Sequence, residues 1–153
     1  MPMGFIFPFE TLLTMKRNLE ELSQMRLARK MNQLKEQEEE IQRVIEEIVS
    51  NERALKEKVT KGMSASEYMV YKIYEEDRHM TLELKEEAKK ETMKEIEAEQ
   101  KILIQLMKER KMFERLKEKQ WKRFQYQMDK LDQKNNDEMV ITRFHSSSKI
   151  PLS

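Results

Sequence analysis

Thr60-Lys61-Gly62-Met63-Ser64-Ala65-Ser66-Glu67 decides how this chain folds. It interrupts two long charged segments that both have helical periodicity. Gly62 is one of only two glycines, and glycine enters the left-handed conformation that stops a helix at almost no steric cost. Ser64 followed by Glu67 is a capping box, in which serine oxygen and glutamate carboxylate satisfy each other's backbone amides. One helix therefore stops near Lys61 and another starts near Ser64. So short a connection favours antiparallel neighbours.

Working outward, the expectation is an all-α fold, a two-helix antiparallel coiled-coil hairpin in one domain spanning 1–153. Helix 1 runs from about 9 to 61, the turn from 61 to 64, helix 2 from about 64 to 144, and a flexible tail from 145 to 153. Leu27, Met31, Leu34, Ile41, Ile45, Ile48, Leu55 and Val59 fall on alternating steps of three and four, with Glu38 and Glu52 in the gaps. That is a heptad seam. Leu12, Met15, Leu19 and Leu22 form a stripe in another phase, so the register is expected to slip between Leu22 and Leu27 as a stutter. On helix 2, Ile102, Leu106, Phe113 and Leu116 keep coiled-coil spacing, with Glu109 and Gln120 in the seam.

Composition agrees. Charged residues make up 39% of the 153 and the mean hydropathy is -0.89, which leaves little for a broad globular core. Thirty Lys and Arg nearly cancel 29 Asp and Glu. That balance argues against the one-signed field of a general nucleic-acid binder. Cysteine is absent, which excludes disulfides and thiolate zinc sites. No apolar run approaches the ~20 residues that span a bilayer. The apolar start lacks a basic leader and holds Pro2 and Pro8, unlike a secretory signal.

Helix 2 is the longer, so length matching leaves its part beyond about Phe113 without cover from helix 1. Arg110, Lys111, Arg115, Lys117, Lys119, Lys122 and Arg123 make that overhang basic, and Trp121, Phe124 and Tyr126 make it aromatic. Basic and aromatic together suit single-stranded nucleic acid. The interleaved Glu114, Glu118, Asp129, Asp132, Asp137 and Glu138 favour a protein partner of mixed charge instead. The arm Phe5 to Phe9 either folds onto the helices or anchors in a partner. The 13 methionines read as adaptable core filling or as a pliable partner surface.

Residue chemistry points away from an enzyme. Two separated glycines cannot build a phosphate loop. His79 has no second histidine or cysteine at ligand spacing, so no metal is expected. Nothing marks out a base for Ser146, Ser147 or Ser148. No cofactor is expected.

Several stretches resemble the FliJ family of flagellar proteins. Lys108-Glu109-Arg110-Lys111, Leu116-Lys117-Glu118-Lys119-Gln120, Asp132-Gln133-Lys134 and Asp137-Glu138 are similar to the family's C-terminal helix. Phe7-Pro8-Phe9-Glu10-Thr11-Leu12-Leu13 followed by Lys16-Arg17 is similar to its start. Gly62-Met63-Ser64 with Tyr68, Tyr71 and Tyr74 resembles its entry into helix 2. The resemblance covers about Phe5 to Phe144.

It implies a non-enzymatic stalk and adaptor of the flagellar type III export apparatus. Such a stalk binds and activates the export ATPase hexamer, touches the cytoplasmic domain of the export-gate membrane protein, and handles export chaperones. It would lie in the cytoplasm, peripheral to the inner face of the cell membrane at the flagellar base, without membrane insertion and without nucleic acid. ATPase-contact candidates are Trp121, Phe124, Tyr126, Gln133, Asp137 and Glu138. Gate-contact candidates are Tyr71, Tyr74, Arg78 and Leu82. Tyr74 is similar to a family aromatic, whereas Arg78, Thr81 and Lys85 depart from the apolar character of that face. The alternatives are the equivalent stalk of a virulence-type secretion system, a purely structural coiled coil, and a holdase chaperone.

Overall fold

The structure, a computed structural model, describes residues 4–148, with side chains to residue 146. It has two helices, α1 (Glu10–Lys61) and α2 (Ala65–Ser148). No strand occurs among the described residues. Gly62 has φ of 91°, a conformation that any side chain would strain. Its amide bonds to the Val59 carbonyl at 3.4 Å. The Glu67 amide donates to Ser64 Oγ at 3.2 Å and the Tyr68 amide to the Ser64 carbonyl at 3.1 Å. The glycine stop and the serine cap thus form as the sequence implies, and the helices pair antiparallel. At the far end, α2 continues four residues past the expected stop at Phe144. The rest of the expected tail, 149–153, lies outside the described residues.

The chain divides into two compact units, Leu19–Leu106 and Met1–Asn18 with Met107–Ser153. The first holds the turn. Its α1 buries Ile41, Val44, Ile48 and Leu55, and its α2 buries Ile96. Each such side chain contributes about 1.5–3 kcal/mol when fully removed from water. Glu47 with Arg78 at 2.8 Å, Glu40 with Lys85 at 2.8 Å, Glu38 with Lys89 at 3.6 Å and Lys30 with Glu95 at 3.9 Å cross between the helices. Each pair is nearly symmetric about Gly62 and Met63, so the turn and the ion pairs specify one register.

The covered positions differ from those expected. On α1 they run Leu13, Lys16, Glu20, Ser23, Leu27, Lys30, Leu34, Gln37, Ile41, Val44, Ile48, Asn51, Leu55, in unbroken steps of three and four. The stutter between Leu22 and Leu27 does not occur. Leu12, Met15, Leu19 and Leu22 are exposed, as are Met31 and Val59. The physical reason is that alternate positions of the real seam are polar. Long polar side chains cover the neighbouring helix with their stems while their heads reach water. A count of apolar residues therefore drifts onto the flank. On α2 the covered row is equally regular from Tyr71 through Glu75, Arg78, Leu82, Lys85, Lys89, Thr92, Ile96, Glu99 and Leu103 to Leu106. Ile102 is exposed.

The second unit contains the arm. Phe7 and Leu13 are buried there. The Glu10 amide bonds to the Phe7 carbonyl at 3.2 Å and the Leu13 amide to the Phe9 carbonyl at 2.9 Å, which turns the arm into α1. Lys16 with Glu109 at 2.6 Å and Lys117 with Glu10 at 2.8 Å cross to α2. Burial would raise the Glu114 carboxyl, but hydrogen bonds from Arg110 and Arg17 outweigh it and hold the group below its ordinary value.

Candidate contact surfaces

Two stretches of α2 bear the residues singled out for partner contact, one in each unit. In the turn unit, Tyr71 is half-buried and its carbonyl accepts from Asn51 Nδ2 at 3.3 Å. Lys58 Nζ stands 5.1 Å from the Tyr71 ring centroid, and its hydrogen bond to that tyrosine raises the lysine pKa. Arg78 is held by Asp77 at 2.8 Å and Glu47 at 2.8 Å. Those bonds, the Asp77 one first, secure the guanidinium further in its charged form. Arg78 also lies 5.6 Å from the Tyr74 ring centroid. Leu82 is half-buried.

The four candidates therefore do not make one outward face. Tyr71, Arg78 and Leu82 belong to the row covered by α1, and only Tyr74 among them is exposed. The outward face of this stretch holds Met69, Ile73, Met80 and Leu84, exposed by 56%, 61%, 66% and 71%. Their spacing of four, seven and four keeps them on one side of a helix. On this stretch the covered row of α2 is partly charged. Glu75, Arg78 and Lys85 lie toward α1, while methionine, isoleucine and leucine lie toward water. The sequence carried a signal for them: apolar residues at helical spacing that the assumed seam did not use.

In the other unit, the expected overhang is shorter than length matching implied. The arm extends the cover of α2 from Phe113 to Phe124. Phe5 meets Trp121 edge-on at 5.2 Å between centroids and Phe124 at 5.5 Å, and Trp121 stacks on Phe124 at 5.8 Å. Phe9 reaches Phe113 at 6.0 Å. Gly4 has φ of 103° and lies beside the Phe124 ring. The arm thus folds onto its own chain. Trp121 and Phe124 are half-buried packing residues, which corrects the expectation that they stand bare.

Every described residue from 125 to 146 is exposed. Tyr126, Gln133, Asp137 and Glu138 lie there. Lys130 Nζ sits 4.9 Å from the Tyr126 ring centroid. Sequence reading passed over Leu131, Val140, Ile141 and Phe144, all exposed in the same stretch. Large apolar side chains gathered on an exposed helix are a feature common to interaction surfaces.

No described helix is long and apolar enough to cross a membrane. Fold and surfaces together define a two-helix coiled-coil protein with exposed apolar side chains along α2. The chain matches the family model described as flagellar FliJ protein over residues 5–149, nearly its whole length. The protein belongs to the FliJ family, which carries a general role in flagellar export as a stalk and chaperone-like component rather than a catalyst. No curated protein and no solved structure matches it.

Proposed function

We propose that this chain is the non-enzymatic stalk that binds and activates the flagellar export ATPase ring, using the bare helix 125–146 as its ring contact. The observation that carries this reading is the complete exposure of that stretch together with its apolar side chains. Tyr126, Gln133, Asp137 and Glu138 mix ring, amide and carboxylate on one slender helix. Such a surface suits weak contact with several subunits of a ring in turn. Export chaperones are further clients of the same apparatus.

The outward row Met69, Ile73, Met80 and Leu84 supports a second contact, with the cytoplasmic domain of the export-gate membrane protein. Tyr74 flanks it, and the row replaces Tyr71, Arg78 and Leu82 as the contacting set. Such a stalk works from the cytoplasm at the inner face of the membrane. The flagellar family match favours this apparatus over its virulence-type counterpart.

The test is a chain cut after Phe124, assayed with the purified export ATPase. The expected result is an unchanged melting temperature for the hairpin with loss of ATPase stimulation. Full stimulation by the shortened chain removes the ring contact from this stretch.

A further inference from the structure

One side-chain group joins the two helices below the turn. Glu75 and His79 stand one turn apart on α2, and Glu52 faces them from α1. His79 Nε2 is 3.9 Å from Glu75 Oε1. One donor atom from each of the three lies within 4.8 Å of the other two. Glu75 divides its carboxylate. Oε2 takes Lys72 Nζ at 3.1 Å, while Oε1 is the oxygen nearer His79. Glu75 is a covered seam residue, whereas Glu52 and His79 are exposed at its rim. A groove of about 710 Å³ below the turn is lined by both glutamates, which gives an ion and its water ligands a way in.

One imidazole nitrogen and two carboxylate oxygens are a donor set that zinc accepts, with water in the fourth position. Ligands at ~2.0–2.2 Å around a tetrahedral ion stand about 3.4 Å apart. The three donors need to close by roughly 1 Å, which exposed glutamate and histidine achieve by moving between rotamers. The imidazole selects zinc-like ions over magnesium and calcium, which prefer all-oxygen cages. A search for a second histidine or cysteine nearby in sequence misses this group, because its third donor arrives from the other helix.

We propose that Glu52, Glu75 and His79 form a site for a zinc-like divalent cation that ties α1 to α2 below the turn. Arg53, Lys56 and Lys72 line the same groove and oppose a cation, which weakens the site. A bound ion bridges the helices and therefore stabilises the hairpin by mass action.

The test uses the full chain without added histidines, stripped with chelator, titrated with zinc chloride by calorimetry and followed by thermal melting. The expected result is one saturable site and a melting temperature that rises with zinc and stays flat with magnesium. His79→Gln and Glu52→Gln each weaken zinc binding by about tenfold or more, at unchanged helicity, while His145→Gln binds as the parent does. Absence of saturable binding overturns the site. So does binding that survives both Glu52→Gln and His79→Gln, or that is lost in His145→Gln. Loss in His79→Gln alone, with Glu52→Gln unaffected, overturns the bridge between helices. An equal response to magnesium overturns the ion class.

Discussion

Ser23 donates its hydroxyl proton to Glu99 Oε1 across 2.8 Å, and both residues are buried. This is a polar rung in the middle of a coiled-coil seam. A buried carboxylate without a donor is costly, and a hydrogen bond to a charged group contributes about 1.5–3 kcal/mol. Ser23→Ala is therefore expected to lower stability by that amount in chemical denaturation. Ser23→Ala combined with Glu99→Leu is expected to recover much of the loss, because neither partner is then stranded. A neutral single mutant shows that the rung is dispensable.

Ile48 and Ile45 separate the observed seam from the one counted by hydropathy. Ile48 is 7% exposed and Ile45 is 36% exposed. Ile48→Asp is expected to cost roughly 3 kcal/mol or more and to unpair the turn unit, since it buries an unpaired charge. Ile45→Asp is expected to cost far less. Equal melting temperatures for the two variants contradict the register described above.

The ring cluster makes its own prediction. Trp121→Ala with Phe124→Ala removes the aromatic bed of the arm and is expected to cost roughly 2–4 kcal/mol, less than two fully buried rings would. Phe5→Ala is expected to lower the melting temperature in the same direction. If the double variant melts like the parent, the arm does not rest on these rings in solution.

Acid is expected to loosen the protein. The hydrogen bond from Lys85 holds the Glu40 carboxyl below its ordinary value, and at Glu114 burial pushes the carboxyl up but Arg110 and Arg17 outweigh it and hold it low. A carboxyl whose pKa is lowered by folding adds stability above its unfolded value and loses it as pH falls through the folded one. The melting temperature should therefore fall as pH drops below about 4.5. Lys85→Gln should weaken that dependence. A flat profile between pH 6 and pH 3, in arbitrary buffers of equal salt, would falsify the role of these pairs.

The outward row can be tested without disturbing the fold. Ile73→Asp with Met80→Asp is expected to leave the unfolding free energy within about 0.5 kcal/mol of the parent, as exposed substitutions do. Binding to the gate protein's cytoplasmic domain, measured by calorimetry, is expected to fall at least tenfold. Undiminished binding moves that contact elsewhere.

The hairpin was legible in sequence because glycine and a serine cap are local signals with local causes. The seam was only half legible. Leu27, Leu34, Ile41, Ile48 and Leu55 declare themselves, but Lys16, Ser23, Lys30, Gln37 and Asn51 share the seam without looking apolar. The partner of each is fixed by the antiparallel register, which becomes visible only when both helices are laid together. The same blindness hid Met69, Ile73, Met80 and Leu84. On a helix expected to face its apolar side inward, these residues are the ones left outside. Trp121 and Phe124 stood out correctly as special, but their neighbour is Phe5, more than a hundred residues away in the chain.

A row of side chains that mixes hydrocarbon with polar and charged groups has two uses, depending on whether the hairpin is closed. Closed, the charges act as alignment marks, since a displaced strand of helix meets the wrong sign. Opened, they keep each helix wettable, so that a separated arm offers no continuous greasy strip for strangers to adhere to. A seam of pure leucine would bare one continuous apolar strip on opening, whereas this mixed seam would not.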